Sequence, residues 1–232
     1  MAGKRICTAD ESVADIFDGA VVMVGGFATP GVPQGLVKAL IRHGASRLTT
    51  ISNAAHGRNH RLYDTAKLVE AGLVARCVTS FPMSGGAAEP NAVETQYEAG
   101  RLEVVIIPQG TLTEQIRAGG AGIAAFWVRT GVDTPFEAGM EKRAFNGQDH
   151  VLAEALRADF ALIRARKADS LGNLVYDKAQ RNYGPIMATA ARVTIAEVDE
   201  VVETGQIDPE AVVTPGIFID RLVLARGEEE GG

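Results

Sequence analysis

Two cysteines in 232 residues, Cys7 and Cys77, are too few to staple a fold, and neither sits in a Cys/His spacing that would hold zinc. A disulfide framework and a metal finger are thereby excluded as sources of stability, and two free thiols in a reducing compartment are expected. A basic surplus is missing too. Lys and Arg number 23 against 29 Asp and Glu, a net charge of −6 with no basic stripe, which argues against nucleic acid as the main partner. No apolar run reaches the ~18 residues of a membrane span, so no membrane association is expected. Lys4 and Arg5 stand near the N-terminus without an apolar stretch behind them, so no secretory leader is expected and the cytoplasm is the expected location. Internal repeats and dividing linkers are absent as well, and one compact domain over residues 1–232 is the reading. Only residues 226–232, with Glu228 to Glu230 and two terminal glycines, read as a frayed tail.

What is present is an α/β pattern. An apolar fraction of 46% supplies a globular core, and short β-branched runs alternate with helical stripes. Residues 20–24 form a continuous apolar run closed by Gly25 and Gly26, as in a buried parallel strand. Leu36, Val37, Leu40 and Ile41 make one helical stripe over 34–42, with Pro33 suited to its first turn. Residues 48–52 read as the next strand, which completes a βαβ unit whose strand–loop–helix junction is the natural ligand site. Further strands are expected at 76–81, 102–107, 160–164, 174–176, 193–197 and 201–203. Helices are expected before Gly100, from Thr113 to a stop at Gly119 and Gly120, from Val151 into the strand at 160, and over 185–191. Residues 133–150 read as an excursion or hairpin turning at Asn146 and Gly147. The fold expected is a largely parallel sheet with helices on both faces.

The most informative stretch is residues 18–33. Gly25, Gly26 and Gly31 permit positive φ and close approach of backbone to a ligand; glycine content alone also fits a tight βα turn with no ligand. The whole string, an acidic residue and Gly19, an apolar run, Gly25, Gly26, Phe27, then Gly31 and Pro33, resembles the signature of family I coenzyme A transferase A subunits. Residues 51–54, 108–122, 158–163, 167–173 and Arg181 with Asn182 resemble later family segments in the family's order, so the resemblance runs from about residue 8 to about residue 224. Residues 80–82, 182–188, 208–210 and 214–218 look most like the 3-oxoadipate type.

The resemblance implies a two-subunit enzyme, commonly A2B2, that moves CoA from an acyl-CoA such as succinyl-CoA to a 3-oxo acid, with carboxylic acids and acyl-CoA as substrates. No permanently bound cofactor or metal is implied; coenzyme A is itself a substrate. The thioester is attacked by a glutamate on the B subunit, so this chain lacks the nucleophile, and Glu98, Glu103 and Glu114 read as surface residues. This chain then supplies shape and hydrogen-bond donors for the oxyanions of acyl exchange. Asn53, at the end of a strand beside the glycine loop, is the candidate oxyanion donor; capping the loop is its structural alternative. Gln109 is a candidate substrate-binding amide, with loop fixing as its alternative, and Gly25, Gly26, Phe27, Gly31 and Gly110 would shape the wall.

Departures exist. The family's second asparagine is Ala54, residues 83–91 form a longer loop, and residues 130–134 lack the usual aromatic. The acceptor therefore stays open to acetoacetate or short-chain acids, and a non-catalytic acyl-CoA-binding homologue is a further alternative. A loose dinucleotide pattern at 120–125 follows a helix rather than a strand and carries little weight. His56 and His60 share helical spacing but lack a third ligand, and read as solvated surface.

Overall fold

The computed structural model describes residues 3–55, 62–83 and 90–225. In chain order the elements are β1 (Arg5–Cys7), α1 (Ala9–Val13), β2 (Val21–Val24), α2 (Gln34–His43), β3 (Leu48–Ala54), α3 (Thr65–Glu70), β4 (Val74–Phe81), α4 (Ala92–Glu98), β5 (Glu103–Ile106) and α5 (Gln109–Ala121). They continue with β6 (Ala125–Val128), β7 (Lys142–Phe145), β8 (Gln148–Glu154), β9 (Ala158–Asp169), β10 (Leu174–Val175), α6 (Gly184–Ala190), β11 (Ala191–Val202) and β12 (Arg221–Leu224). The main sheet runs β1-β12-β11-β9-β2-β3-β4-β5; β10 adds to β9 antiparallel, and every other pairing in it is parallel. A small antiparallel sheet, β6-β8-β7, stands apart from it.

Alternation along the central strands builds two cores. Val22, Val24, Phe160 and Leu162 face α2 and α3, where Leu36, Leu40 and Leu68 are fully buried. Met23, Ala161 and Ile163 face the other way, against Leu112 and Ile116 of α5 and Met187 of α6. Period-two alternation puts neighbours on opposite faces, so a strand apolar throughout needs helices on both sides. Each fully buried leucine here stabilises by roughly 1.5–3 kcal/mol. The doubly covered parallel sheet is the architecture expected from the sequence.

Some boundaries differ from the expectation, among them β9, which runs over Ala158–Asp169 rather than 160–164. Residues 151–154 continue β8, because the hairpin at Asn146 and Gly147 (φ 51° and 74°) pairs residues 148–151 with β7 and β6 pairs residues 151–154. The reading of a helix from Val151 is corrected accordingly. α5 begins at Gln109 rather than Thr113 and runs through Gly119 and Gly120 to a left-handed C-cap at Gly122. The two expected strands at 193–197 and 201–203 are one strand, β11. Pro33 is the cap residue before α2 rather than part of its first turn. Residues 56–61, with His56 and His60, and the tail 226–232 lie outside the described residues, as do 84–89 of the long loop; the loop's end, Asn91, forms a capping box with Glu94 at the start of α4.

Candidate active site

The chain leaves β2 for β3, β4 and β5 on one side, while β9, β11 and β12 extend the sheet on the other. Adjacent strands β2 and β9 therefore send their connections apart, and the crevice beyond their C-terminal ends is a topological switch point, where ligands of open α/β sheets bind. The glycine-rich loop is the connection leaving β2. Gly26 has φ +119°, and a Cβ there would meet Val32 Cγ2 at 2.5 Å. Gly31 has φ +81°, with Gln180 O and Asn182 Nδ2 at 2.7 and 2.8 Å from where its Cβ would stand. Both positions require glycine for conformation and for space. Asn182 Nδ2 donates to Pro30 O at 2.9 Å, so the segment after β10 is pinned onto the glycine loop. Phe27 is an exposed side chain of the loop, 44% accessible, and Gly25 packs against the β9 backbone, its N–H donating to Leu162 O.

Asn53 is the penultimate residue of β3, on the same edge of the sheet. It is 2% exposed, and its backbone carbonyl accepts from Thr79 Oγ1. Its side-chain Oδ1 accepts from Gln109 Nε2 at 2.8 Å. Gln109, the first residue of α5, is half-buried, and Gly110 beside it is exposed with open space where a Cβ would be. The amide pair is thus dry at Asn53 and reaches solvent at Gln109. The Asn53 carboxamide thus turns its acceptor Oδ1 toward Gln109, with its Nδ2 donor end on the other side. Behind the pair stands Tyr183, 5% exposed, with Thr113 Oγ1 at 2.9 Å from its hydroxyl. Burial pushes the Tyr183 phenol up from 10.0, opposed by hydrogen bonds from the Thr113 and Gln109 side chains.

Three of the sequence-predicted features therefore meet at one edge: the glycine loop, Asn53 and Gln109. The structure adds groups that the sequence did not single out. Tyr183 and Thr113 are one such pair. Glu197 is the other: it lies on β11, is 2% exposed, and accepts from Leu36 N at 2.9 Å and from Arg164. Burial holds its carboxyl above 4.5, against the lowering pull of Arg164 and of the Leu36 and Gly35 N–H groups. It satisfies the start of α2, where Pro33 offers no side-chain cap. Neither pair has a local signal, because its members lie 70 and 161 residues apart. Glu98 is exposed, while Glu103 pairs with Arg76 and Glu114 with Arg117 at the surface, which fits structural roles for all three.

Both cysteines are free; burial raises the Cys77 thiol to about 11, and such a thiol is inert at neutral pH. No helix among the described residues is long and apolar enough to cross a membrane, and no cluster of three or more His, Cys, Asp or Glu among them could hold a metal. The dinucleotide-like glycines at 120–122 close a helix instead of following a strand, so they do not form a phosphate-binding turn.

The profile of the coenzyme A transferase family matches residues 6–225. The chain is 46% identical over 227 residues to the A subunit of 3-oxoadipate CoA-transferase from Pseudomonas putida, covering 98% of this chain and 96% of that one. It is 46% identical over 222 residues to the A subunit of succinyl-CoA:3-ketoacid coenzyme A transferase from Xanthomonas campestris pv. campestris, covering 95% and 88%. Among solved structures, an acyl-CoA transferase of E. coli O157:H7, in a thioester complex with CoA, superposes with a TM-score of 0.81 at 20% identity. That match covers 99% of this chain and 51% of the other, so the fold found here fills about half of the longer protein. A variant of the decarboxylase AibA/AibB superposes with a TM-score of 0.80 at 27% identity, covering 98% and 85%. The fold therefore carries more than one reaction.

Proposed function

The chain belongs to the coenzyme A transferase family, and on that premise we propose that it is the A subunit of a heteromeric enzyme transferring CoA from succinyl-CoA to a 3-oxo acid, 3-oxoadipate first. The observation that carries the reading is the meeting of the glycine loop, Asn53 and Gln109 at the switch point, where the two amides are hydrogen-bonded to each other, while Glu103 and Glu114 are paired with arginines at the surface. Acyl exchange needs a nucleophile and an oxyanion site. This chain is equipped for the second.

In the proposed mechanism the donor thioester is attacked by a glutamate of the B subunit. The tetrahedral oxyanion is met by Asn53 Nδ2–H₂, and CoA thiolate leaves as an acyl–glutamyl anhydride forms. The thiolate then attacks the glutamyl carbonyl, releasing the donor acid and leaving a glutamyl-CoA thioester that the acceptor acid takes over by the reverse steps. Gln109 stands at the solvent side of Asn53 as the group nearest an incoming carboxylate, and Gly25, Gly26, Phe27, Gly31 and Gly110 line the approach. No resident cofactor takes part. An A2B2 assembly in the cytoplasm completes the proposal. Names among the relatives favour 3-oxoadipate and succinyl-CoA:3-ketoacid transfer about equally, so acetoacetate is the second acceptor to test.

The experiment is reconstitution. The purified chain alone should transfer no CoA; with the B subunit it should show ping-pong kinetics and a borohydride-sensitive thioester on the partner. Full turnover by the chain alone would sink the division of labour. A panel of 3-oxoadipate, acetoacetate and short-chain acids with succinyl-CoA ranks the acceptors.

A further inference from the structure

The small sheet β6-β8-β7 takes no part in the site described above. It leaves the body after α5 and returns at the N-terminal end of β9, whereas the switch point lies beyond the C-terminal ends of the strands. Its two faces differ. Val151 and Ala153 of β8 are fully buried, so alternation turns His150, Leu152 and Glu154 to the opposite, outer face. The ladders set Trp127 opposite Leu152 and Arg143 opposite His150; Leu152 N also donates to Glu141 O, which carries the ladder one residue past β7. Ring contacts mark the shared face. Trp127 and Phe145 have centroids 5.6 Å apart, Phe145 and His150 5.2 Å, and the Arg143 guanidinium stands 5.8 Å from the Trp127 ring. Phe145 is 38% exposed, and Trp127 and Leu152 are half-buried, so the centre of the face is apolar and open to solvent.

Charge is sorted along the same face. Glu141 and Glu154 lie toward one end of the strands; Arg143 and Arg129, the latter hydrogen-bonded to Gln148, lie toward the other. All four are exposed, and among the described residues none of them has an ion-pair partner. Lys142, on the opposite face of β7, is by contrast paired with Asp133, Glu137 and Asp149. A face with an apolar centre, acids at one end and arginines at the other is complementary to itself. A two-fold axis between two such sheets, crossing the strands at the level of Val151, sets Glu141 of each copy over Arg143 of the other. The same axis sets Glu154 over Gln148 and its partner Arg129. Closed two-fold symmetry uses every such pair twice.

We propose that this face joins two copies of the chain, their small sheets stacked face to face with strands antiparallel. The contact goes beyond the CoA-transfer reading and does not depend on it; in an A2B2 assembly it is the surface between the two A subunits. Packing through the face leaves the outer edge of β7 unpaired. Three short strands are small beside the ~800 Å² per partner of a standard interface, so the dimer of the free chain is expected in the micromolar range.

The test is sedimentation of the purified full-length chain over a concentration series, which should show a monomer–dimer equilibrium that weakens as salt rises. Arg143→Glu sets a carboxylate against Glu141 of the other copy, and Glu141→Arg sets two guanidinium groups together. Each change alone should raise the dissociation constant about tenfold or more. Combined in one chain, the two changes restore opposite charges across the axis, and the dissociation constant should return to within about threefold of wild type. Damage to the fold would not be repaired in this way, and both side chains are exposed. A wild-type chain that stays monomeric into the millimolar range would overturn the proposal, as would single variants that dimerise like wild type or a double variant no better than either. Single variants that instead weaken binding of the B subunit would assign the face to B and overturn it too. Transferase activity of the A–B complex, measured alongside, bears only on the CoA-transfer reading.

Discussion

At the scale of single residues, Glu197 is the side chain whose chemistry is most at odds with its place. A carboxyl 2% exposed loses hydration that Arg164 and two backbone N–H groups must replace. Its folded-state pKa is raised above 4.5, mainly by burial. A group raised in this way holds its proton more tightly folded than unfolded. Its stabilising contribution is complete below the unfolded value and is lost as pH rises through the folded one. Glu197→Gln keeps the shape and cannot ionise, so the decline of the unfolding midpoint as pH rises from 4.5 should be shallower in the variant than in the wild type. Parallel slopes in thermal melts would show that Glu197 does not titrate as described. The same residue marks a limit of sequence reading. Asn53 and Gln109 were legible because they sit in contiguous motifs, whereas Glu197 acts on a helix start 161 positions away, and nothing in its neighbours announces that.

At the scale of elements, α5 shows why glycine misleads. Two adjacent glycines read as a stop, yet Gly119 and Gly120 lie inside the helix because other chain segments come too close for any Cβ. A Cβ on Gly119 would run into Leu156 O, and one on Gly120 into Thr189 at the contact with α6. Helix propensity favours alanine by about 1 kcal/mol, but forcing a methyl into packed backbone costs about 1–3 kcal/mol, and at Gly119 the obstacle is a carbonyl that cannot swing away. Gly119→Ala should therefore lower the urea midpoint, while Gly110→Ala on the same helix, with open space around it, should leave it unchanged or raise it. Equal effects would refute the packing account. A different physics hid the single strand β11. Asp199 and Glu200 read as a break, but Glu197 and Glu200 sit opposite Arg164 and Lys167 of β9 in the parallel register and pair with them, so charge continues the strand. The β8 run, good helix former though it is, was captured by its hairpin; tertiary pairing overrode local preference.

At the scale of the whole molecule, strands β9 and β11, twelve residues each, form the longest ladder, from Ala191 opposite Ala158 to Val202 opposite Asp169. They sit in the middle of the main sheet with β2 and β12 on their outer sides. Local opening needs the fewest broken contacts at edges and the most at such a centre. Hydrogen exchange of the free chain should be slowest in β9 and β11 and fast in β7, whose four residues are all exposed. Early exchange in β9 would contradict the sheet order. The apolar middles of these strands, 160–164 and 193–197, were readable from the sequence, because a strand buried on both faces leaves a continuous apolar run, whereas their charged ends were not. The small sheet was readable only at its Asn146–Gly147 turn.

The start of α2 has one more consequence. In sheets of this kind, the helix entrance beside a glycine loop is a ready anion receptor, and phosphate is its usual guest. Here the protein has seated its own carboxylate there, donated from β11 and braced by Arg164. An anionic visitor meets an occupied socket. The Leu36 N–H at this helix start is thus spent on a side chain of the protein itself and is not free for a phosphate.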